Sequence, residues 1–229
     1  MLGTPSAFTR HAVGTLCESG VPPVALVTGA DSSRNALGPI PLEVRDSAAR
    51  TAAEYGVSLV RVSDPNRPEA IGELERIEPD LLLFACLPRI VSRETRSTAR
   101  LGALNLHPAP LPRFRGPDPV FWQLHEGVAR TGVTVHVATD AVDAGPIVLQ
   151  RCLDVRPGVR ADALTAALVR RGVRALVEAL PEIERHIREA IPQDESAATC
   201  RPRPRPEDFR LDASWTAERA YRFIEGTRG

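Results

Sequence analysis

Short runs of apolar and β-branched residues alternate along this chain with segments whose apolar residues recur at helical spacing. The apolar runs occupy residues 24–28, 58–62, 80–86, 102–107, 132–138 and 146–155. Helical spacing is found at residues 6–19, 44–55, 68–77 and 120–127. This alternation predicts an α/β fold with a largely parallel sheet and helices on both faces. In such sheets, ligands bind beyond the carboxyl ends of the strands.

The two ends of the sequence depart from this regular pattern. Residues 1–8 offer only two apolar residues before a Gly-Thr-Pro turn, so a first strand there is either very short or begins upstream. Residues 162–190 have helical spacing. The RPRPRP run at 201–206 cannot continue a helix or a central strand and predicts an extended linker. Residues 214–224 then predict a short amphipathic helix with Ser214 as its N-cap.

The charge and cysteine content exclude several classes of function. Lys+Arg and Asp+Glu are both 29, so no net charge recruits nucleic acid or an anionic membrane. Every base is arginine, which rules out Schiff-base lysines and the P-loop lysine. The four cysteines lie far apart without metal-ligand spacing, so we expect free thiols and no metal. Without a signal peptide or a long apolar run, the sequence predicts a cytoplasmic protein that does not bind membranes.

An amide and an imidazole stand at the end of one predicted strand, in the stretch LNLHPAPLPRFRG from residue 104 to residue 116. Side chains two residues apart on a strand point the same way, so Asn105 and His107 share one face. The prolines that follow restrict the backbone and hold the pair still. The alternative interpretations are a turn-forming Asn and a structural His.

A carboxylate follows the next strand, in DAVDAGPI at 140–147, and Asp143 is the candidate residue. An amide donor, a titratable imidazole and a carboxylate at strand ends suit acyl transfer, in which an oxyanion forms and protons move. An Asp-rich turn without a chemical role is the alternative. His136 alternates with valines on a strand and is interpreted as structural, while His125 is expected on the solvated face of a helix.

The segment from residue 104 to residue 150 resembles the 10-formyltetrahydrofolate-dependent formyltransferases. The N-x-H-P, L-P, R-G, T-G-V-T and D-x-G elements occur in the family's order and spacing. GTPSAF at 3–8, PDLLLFACLPRIV at 79–91 and PQDESAAT at 192–199 extend the resemblance. The family includes methionyl-tRNA formyltransferases, glycinamide ribonucleotide transformylases and sugar-amine N-formyltransferases. The resemblance implies a Rossmann-like, mostly parallel twisted sheet.

The same resemblance assigns roles to residues of this chain. Asn105, His107 and Asp143 would be catalytic: the amide and the imidazolium stabilise the oxyanion, and the carboxylate raises the imidazole pKa and helps to relay the amine proton. 10-Formyltetrahydrofolate would be the co-substrate, with no metal. The folate-binding residues implied are Leu87, Arg89, Ile90, Val91, Ala138, Asp140 and Val142. The acceptor-binding residues implied are Gly3, Thr4, Arg115 and Gly116.

The implied acceptor is a primary amine, either methionyl-tRNA or a small molecule such as an amino sugar, amino acid or peptide amine. GPDPVFW at 116–122 stands where the tRNA enzymes have G-A-A-P-I, which places bulky Phe121 and Trp122 beside the expected acceptor cleft. With a neutral chain, this change favours a small amine at least as much as tRNA. The alternatives are a formyltetrahydrofolate hydrolase and a non-catalytic folate-binding remnant.

The domain organisation follows from the same resemblance. We expect a catalytic domain at 1–191 and a linker with a short helix at 192–229, without the OB-type domain of the tRNA enzymes. The sequence does not indicate an oligomeric state.

Overall fold

The computed structural model describes residues 1–29 and 48–228, and its centre is a seven-stranded sheet. The strands are β1 (Leu2–Gly3), β2 (Ala25–Gly29), β3 (Ser58–Val62), β4 (Leu82–Ala85), β5 (Ala103–His107), β6 (Arg130–Val137) and β7 (Ile147–Asp154). The helices are α1 (Ala7–Glu18), α2 (Ala48–Tyr55), α3 (Pro68–Ile77), α4 (Arg93–Arg96), α5 (Pro119–Glu126), α6 (Ala161–Ala179), α7 (Ile183–Arg188) and α8 (Ala217–Thr227).

The strand order is β3-β2-β1-β4-β5-β6-β7. Strands β1 to β5 pair in parallel, whereas β6 is antiparallel to both β5 and β7. The sheet is therefore mixed but mostly parallel, which confirms the predicted fold class. The antiparallel β6 has a direct consequence for function, because it runs back past the Asn105 and His107 end of β5.

Alternate residues of each central strand contribute to different core layers. Leu83 and Ala85 of β4 pack with α1 and α6, while Leu82 and Phe84 pack with α3. Helix α6 lies close to the sheet at Gly172, where an added Cβ would be 2.6 Å from side-chain atoms of both β5 and β6. The catalytic candidates on β5 face the layer opposite α6, since Leu104 and Leu106 occupy the α6 side.

Several element boundaries differ from the sequence predictions. The first strand is two residues long and pairs with both β2 and β4. Of the helix expected at 44–55, residues 44–47 lie outside the described part of the chain, and α2 begins at Ala48. The prediction of Ser214 as an N-cap is wrong: α8 begins at Ala217, and the Thr216 side chain accepts from the N–H of Arg219. The Ser214 N–H is instead held by the Asp212 carboxylate.

An aromatic cluster joins α5 to the C-terminal part of the chain. Its members are Phe121, Trp122 and His125 of α5, together with Phe209, Trp215 and Phe223. The Phe121 and Trp122 side chains are almost fully buried here, so the expectation that they border an acceptor cleft is wrong. The expectation of a solvated His125 is also wrong, because its ring centroid lies 4.9 Å from that of Trp215. Burial and the nearby Arg219 lower the pKa of His125.

Candidate active site

The three predicted catalytic side chains meet at the carboxyl end of β5. Asn105 Nδ2 lies 3.1 Å from one carboxylate oxygen of Asp143, and His107 Nδ1 lies 3.5 Å from the other. Asn105 and His107 share a strand face, while Asp143 reaches them from the loop between β6 and β7. Asp143 has a φ of 49°, a left-handed conformation that Asp tolerates better than most residues.

His107 is buried, and its ring orientation is fixed by the proline-rich loop that follows β5. Its Nε2–H donates to the Phe114 carbonyl oxygen at 2.8 Å, and Phe114 adopts a φ of 63°. Burial lowers the pKa of His107, although the Asp143 carboxylate and the Phe114 carbonyl act in the opposite direction. Its Nδ1 faces the Asp143 carboxylate at 3.5 Å, and the imidazolium expected during formyl transfer stays a prediction.

Asp143 remains ionised although it is largely buried. Burial alone would raise its pKa, but His107, His136 and the Gly116 N–H together outweigh burial and lower the pKa to about 2. The Gly116 N–H donates to Oδ2 at 2.9 Å. This carboxylate is therefore a fixed negative charge beside the His107 imidazole.

A fourth side chain of the site, His136, was interpreted from the sequence as structural. The antiparallel register of β5 and β6 places it directly opposite Asn105. Its Nδ1–H donates to the Val137 carbonyl oxygen at 2.9 Å, and its Nε2 lies 3.0 Å from Asn105 Nδ2. His136 Nε2 also lies 3.5 Å from Asp143. The parity of the alternating TVHV run was a usable signal, but it required knowing which strand β6 pairs with.

The Asn105 amide has both of its N–H groups directed at partners inside the site, His136 and Asp143. Either N–H can be turned to an oxygen that develops negative charge, since both partners are held in place by other contacts. A preorganised donor, a titratable imidazole and an ionised carboxylate are the groups that acyl transfer requires.

The clamp segment, residues 191–201, lies against the loop that carries Phe114 and Gly116. Gln193 Nε2 donates to the carbonyl oxygens of Asp143 and Gly145, each at 2.8 Å. Its Oε1 accepts from the Arg115 guanidinium at 3.1 and 2.8 Å, and Glu195 pairs with the same guanidinium at 2.7 Å. The clamp segment is thus bonded to the Asp143 backbone and to Arg115, whose neighbour Gly116 binds the Asp143 carboxylate. The sequence pattern did not indicate this connection.

The four residues predicted to bind the acceptor lie at strand ends and in the loop after β5. The Arg115 guanidinium is engaged within the chain, and the Gly116 N–H is held by Asp143. Gly3 packs against Thr9 and the Ala85 carbonyl, so a side chain there would clash. The Thr4 hydroxyl donates to the Cys86 carbonyl oxygen at 3.0 Å. Their roles toward an acceptor stay predictions.

The residues predicted to bind folate lie on two loops. On the first loop, Leu87 is half-buried, Val91 is buried and Ile90 is 48% exposed, while Arg89 pairs with Asp64 at 2.8 Å.

On the second loop, the Ala138 N–H donates to the Ala103 carbonyl oxygen at 2.9 Å, and Val142 is 51% exposed. Asp140 pairs with Arg96 at 2.7 Å. The two loops thus present partly exposed apolar side chains, and their binding of folate stays a prediction.

Residues 1–29 and 48–228 contain neither a metal-binding cluster nor a membrane-spanning helix. No group of three or more His, Cys, Asp or Glu side chains is arranged to hold a metal ion. No helix in the same part of the chain is long and apolar enough to cross a membrane.

Comparisons with known proteins identify the family to which the chain is similar. Residues 3–180 match the family described as formyl transferase. The methionyl-tRNA formyltransferase of Chloroflexus aggregans is 35% identical over 218 residues, which are 94% of this chain and 68% of that protein.

Among solved structures, HypX from Aquifex aeolicus in complex with tetrahydrofolic acid superposes with a TM-score of 0.64 at 22% identity. That match covers 98% of this chain, which spans only about a third (33%) of the HypX chain. An N-formyltransferase from Helicobacter canadensis, in complex with folinic acid and dTDP-3-aminofucose, gives a TM-score of 0.67 at 13% identity. The match covers 97% of this chain and 79% of the Helicobacter canadensis chain.

Proposed function

This chain belongs to the formyl transferase family of folate-dependent enzymes, and we propose that it moves a formyl group from 10-formyltetrahydrofolate to a primary amine. The observation that carries the proposal is the convergence of Asn105, His107 and Asp143 within hydrogen-bonding or near hydrogen-bonding distance. These are the residues on which the family resemblance also falls.

Asn105 is proposed to stabilise the charge that develops during transfer. When the amine nitrogen attacks the formyl carbon, a carbon–nitrogen bond forms and the carbonyl electron pair moves onto oxygen. An N–H of Asn105, released from His136 or Asp143, donates to this oxyanion. His136 holds the amide in the orientation that presents the N–H.

His107 is proposed to accept the proton of the attacking amine. Its Nε2–H is committed to Phe114, so Nδ1 is the nitrogen that can take up a proton. The resulting imidazolium is stabilised by the ionised Asp143 at 3.5 Å. The proton then passes to N10 of the folate as its bond to the formyl carbon breaks, which releases tetrahydrofolate and the formylated amine.

Methionyl-tRNA is the acceptor that the curated relatives favour, since they are methionyl-tRNA formyltransferases at 31–35% identity. One sequence-based argument for a small acceptor no longer holds, because Phe121 and Trp122 are buried under the aromatic cluster. A small amine remains the second candidate because the N-formyltransferase from Helicobacter canadensis was solved with dTDP-3-aminofucose. The chain's lack of net charge offers no general attraction to tRNA phosphates.

The test offers 10-formyltetrahydrofolate to the wild-type protein with methionyl-tRNA, with a panel of amino sugars and amino acids, or with water alone. We expect tetrahydrofolate to form together with an equal amount of formylated amine. Release of formate without formylated amine would indicate a hydrolase and contradict the proposal. Release of no folate product in any arm would contradict enzymatic formyl transfer altogether.

A further inference from the structure

Arg96 connects the two loops that are proposed to hold folate. From α4, its Nη1 donates to the Val91 carbonyl oxygen on the first loop, and its Nη2 pairs with Asp140 on the second loop at 2.7 Å. The Arg96 side chain is only 12% exposed, whereas Asp140 is 79% exposed. The guanidinium therefore lies between the loops and not on the outer surface.

A cavity of about 360 Å³ lies beside this bridge and is lined in part by Arg96, Ala103, Val137 and Ala138. Its size falls within the range of roughly 300–1,000 Å³ that is usual for small-molecule sites. Ala103 and Ala138 carry small side chains, so they leave room between the loops. Arg96 thus lines the cavity while its guanidinium is bonded to the Val91 carbonyl and the Asp140 carboxylate.

The hydrogen-bond donors of the pterin ring resemble those of the Arg96 guanidinium, which lies between the two loops. One edge of the pterin carries an amino group next to a ring N–H, and these planar donors are arranged like the fork of a guanidinium. Such an edge needs a pair of acceptors, which a backbone carbonyl and a carboxylate supply. In the structure, the Val91 carbonyl and the Asp140 carboxylate are bonded to Arg96.

We propose that Arg96 is a gate that competes with the pterin edge for these two acceptors and so sets the affinity for folate. The inference rests on the proposed function, because it takes folate as the ligand of the two loops. Folate binds only to molecules in which Arg96 has left the bridge, and the apparent affinity is reduced by the fraction that is open. Arg96 thus controls the affinity for folate before the chemical step.

The sign of the expected effect separates a gate from a ligand-binding residue. Arg96→Met keeps an unbranched side chain but removes the donors. The variant should bind folate roughly 5- to 10-fold more tightly, because the wild type must first break one ion pair with an exposed partner and one charge-assisted hydrogen bond. A residue that contacts bound folate, or that merely holds the loops in shape, would give weaker binding when removed.

The experiment titrates folinic acid, a folate that does not enter the transfer reaction, into four proteins: wild type, Arg96→Met, Arg96→Lys and Arg76→Met. Arg76 is the matched control, because it is an exposed arginine of α3 that pairs with Glu73 and does not line the cavity. We expect tighter binding and faster association for Arg96→Met, an intermediate result for Arg96→Lys, and unchanged binding for Arg76→Met.

Formyl transfer by the wild type is measured in parallel. Unchanged or weaker folate binding by Arg96→Met, with an active wild type, would overturn the gate and leave the proposed function standing. Equal gains in Arg96→Met and Arg76→Met would reduce the effect to general charge removal and also overturn the gate. Failure of all four proteins to bind folate would overturn the gate and the proposed function together.

Discussion

Replacing Gln193 with Met tests whether the clamp segment belongs to the catalytic machinery. Gln193 Nε2 holds the carbonyl oxygens of Asp143 and Gly145, and Oε1 holds Arg115, the residue before the Gly116 N–H that binds the Asp143 carboxylate. Methionine preserves the length of the side chain but removes every one of these bonds. The Asp143 carbonyl then loses its hydrogen bond from Gln193, and Arg115 no longer helps to hold the Gly116 N–H against the Asp143 carboxylate.

The magnitude follows from the number of bonds lost. Two hydrogen bonds from Nε2 and two to Oε1 disappear, at about 1 kcal/mol each when fully counted and less where water replaces them. We therefore expect a loss of about 2–3 kcal/mol in the free energy of unfolding. Because displacement of a catalytic group by about 1 Å can cost roughly 100-fold, we expect kcat to fall roughly 10- to 100-fold. The KM for folate should change little, since Gln193 forms these hydrogen bonds with none of the seven residues predicted to bind folate.

Trp122→Phe is the matched control for the Gln193 variant. It removes the hydrogen bond from Nε1 to the Pro202 carbonyl oxygen at 2.8 Å, which fixes the chain directly after the clamp segment. Its cost should be about 1 kcal/mol or slightly more, with kcat unchanged. Chemical denaturation and steady-state kinetics measure both quantities. A Gln193→Met protein that is folded and has the kcat of the wild type would refute the argument.

Three further outcomes are expected. If neutral His107 accepts the amine proton, kcat/KM should rise with pH through an apparent pKa below 6.5 and be level at neutral pH, because burial lowers the pKa of His107. A kcat/KM that falls with pH over this range would contradict that role. The pKa of Asp143 is about 2, below its ordinary 3.8, so its carboxylate stabilises the fold above pH 3.8 and this stability is lost as the pH falls through 2. An Asp143→Asn protein should lack this part of the acid dependence in denaturation curves. Gly116→Ala places a Cβ 2.6 Å from the Arg201 carbonyl oxygen at a φ of 98°, so it should lower the free energy of unfolding by about 1–3 kcal/mol. Gly20→Ala should cost less, because nothing lies within 4 Å of the added Cβ, and equal melting temperatures of the two variants would contradict this.

The sequence predicted best those elements whose signals are local. Strand β3 and helix α3 match their predicted bounds because the apolar runs are flanked by clear breakers, and Pro68 occupies the first helical turn. The start of α8 was misplaced because Ser214 and Thr216 are both plausible caps. The choice between them depends on the Asp212 turn.

The candidate site was predicted in part. Asn105 and His107 could be paired from strand parity alone, and Asp143 was found through its position after the next strand. His136 could not be assigned without the antiparallel register of β6, and Gln193 lies 50 residues from Asp143 in sequence. The lowered pKa of His107 could not be predicted from the sequence, because the burial that lowers it depends on the folded loop around Phe114.

The central claim, catalysis by Asn105 together with His107 and Asp143, is tested most directly by the initial rate of formyl transfer in Asn105→Ala. The rate is followed as tetrahydrofolate released from 10-formyltetrahydrofolate in the presence of the best acceptor amine, with folinic acid binding measured on the same protein. We predict a loss of roughly 3 kcal/mol of transition-state stabilisation, about 100- to 1,000-fold in kcat, with folate binding retained. A folded Asn105→Ala protein that transfers formyl groups at a rate near that of the wild type would contradict the account.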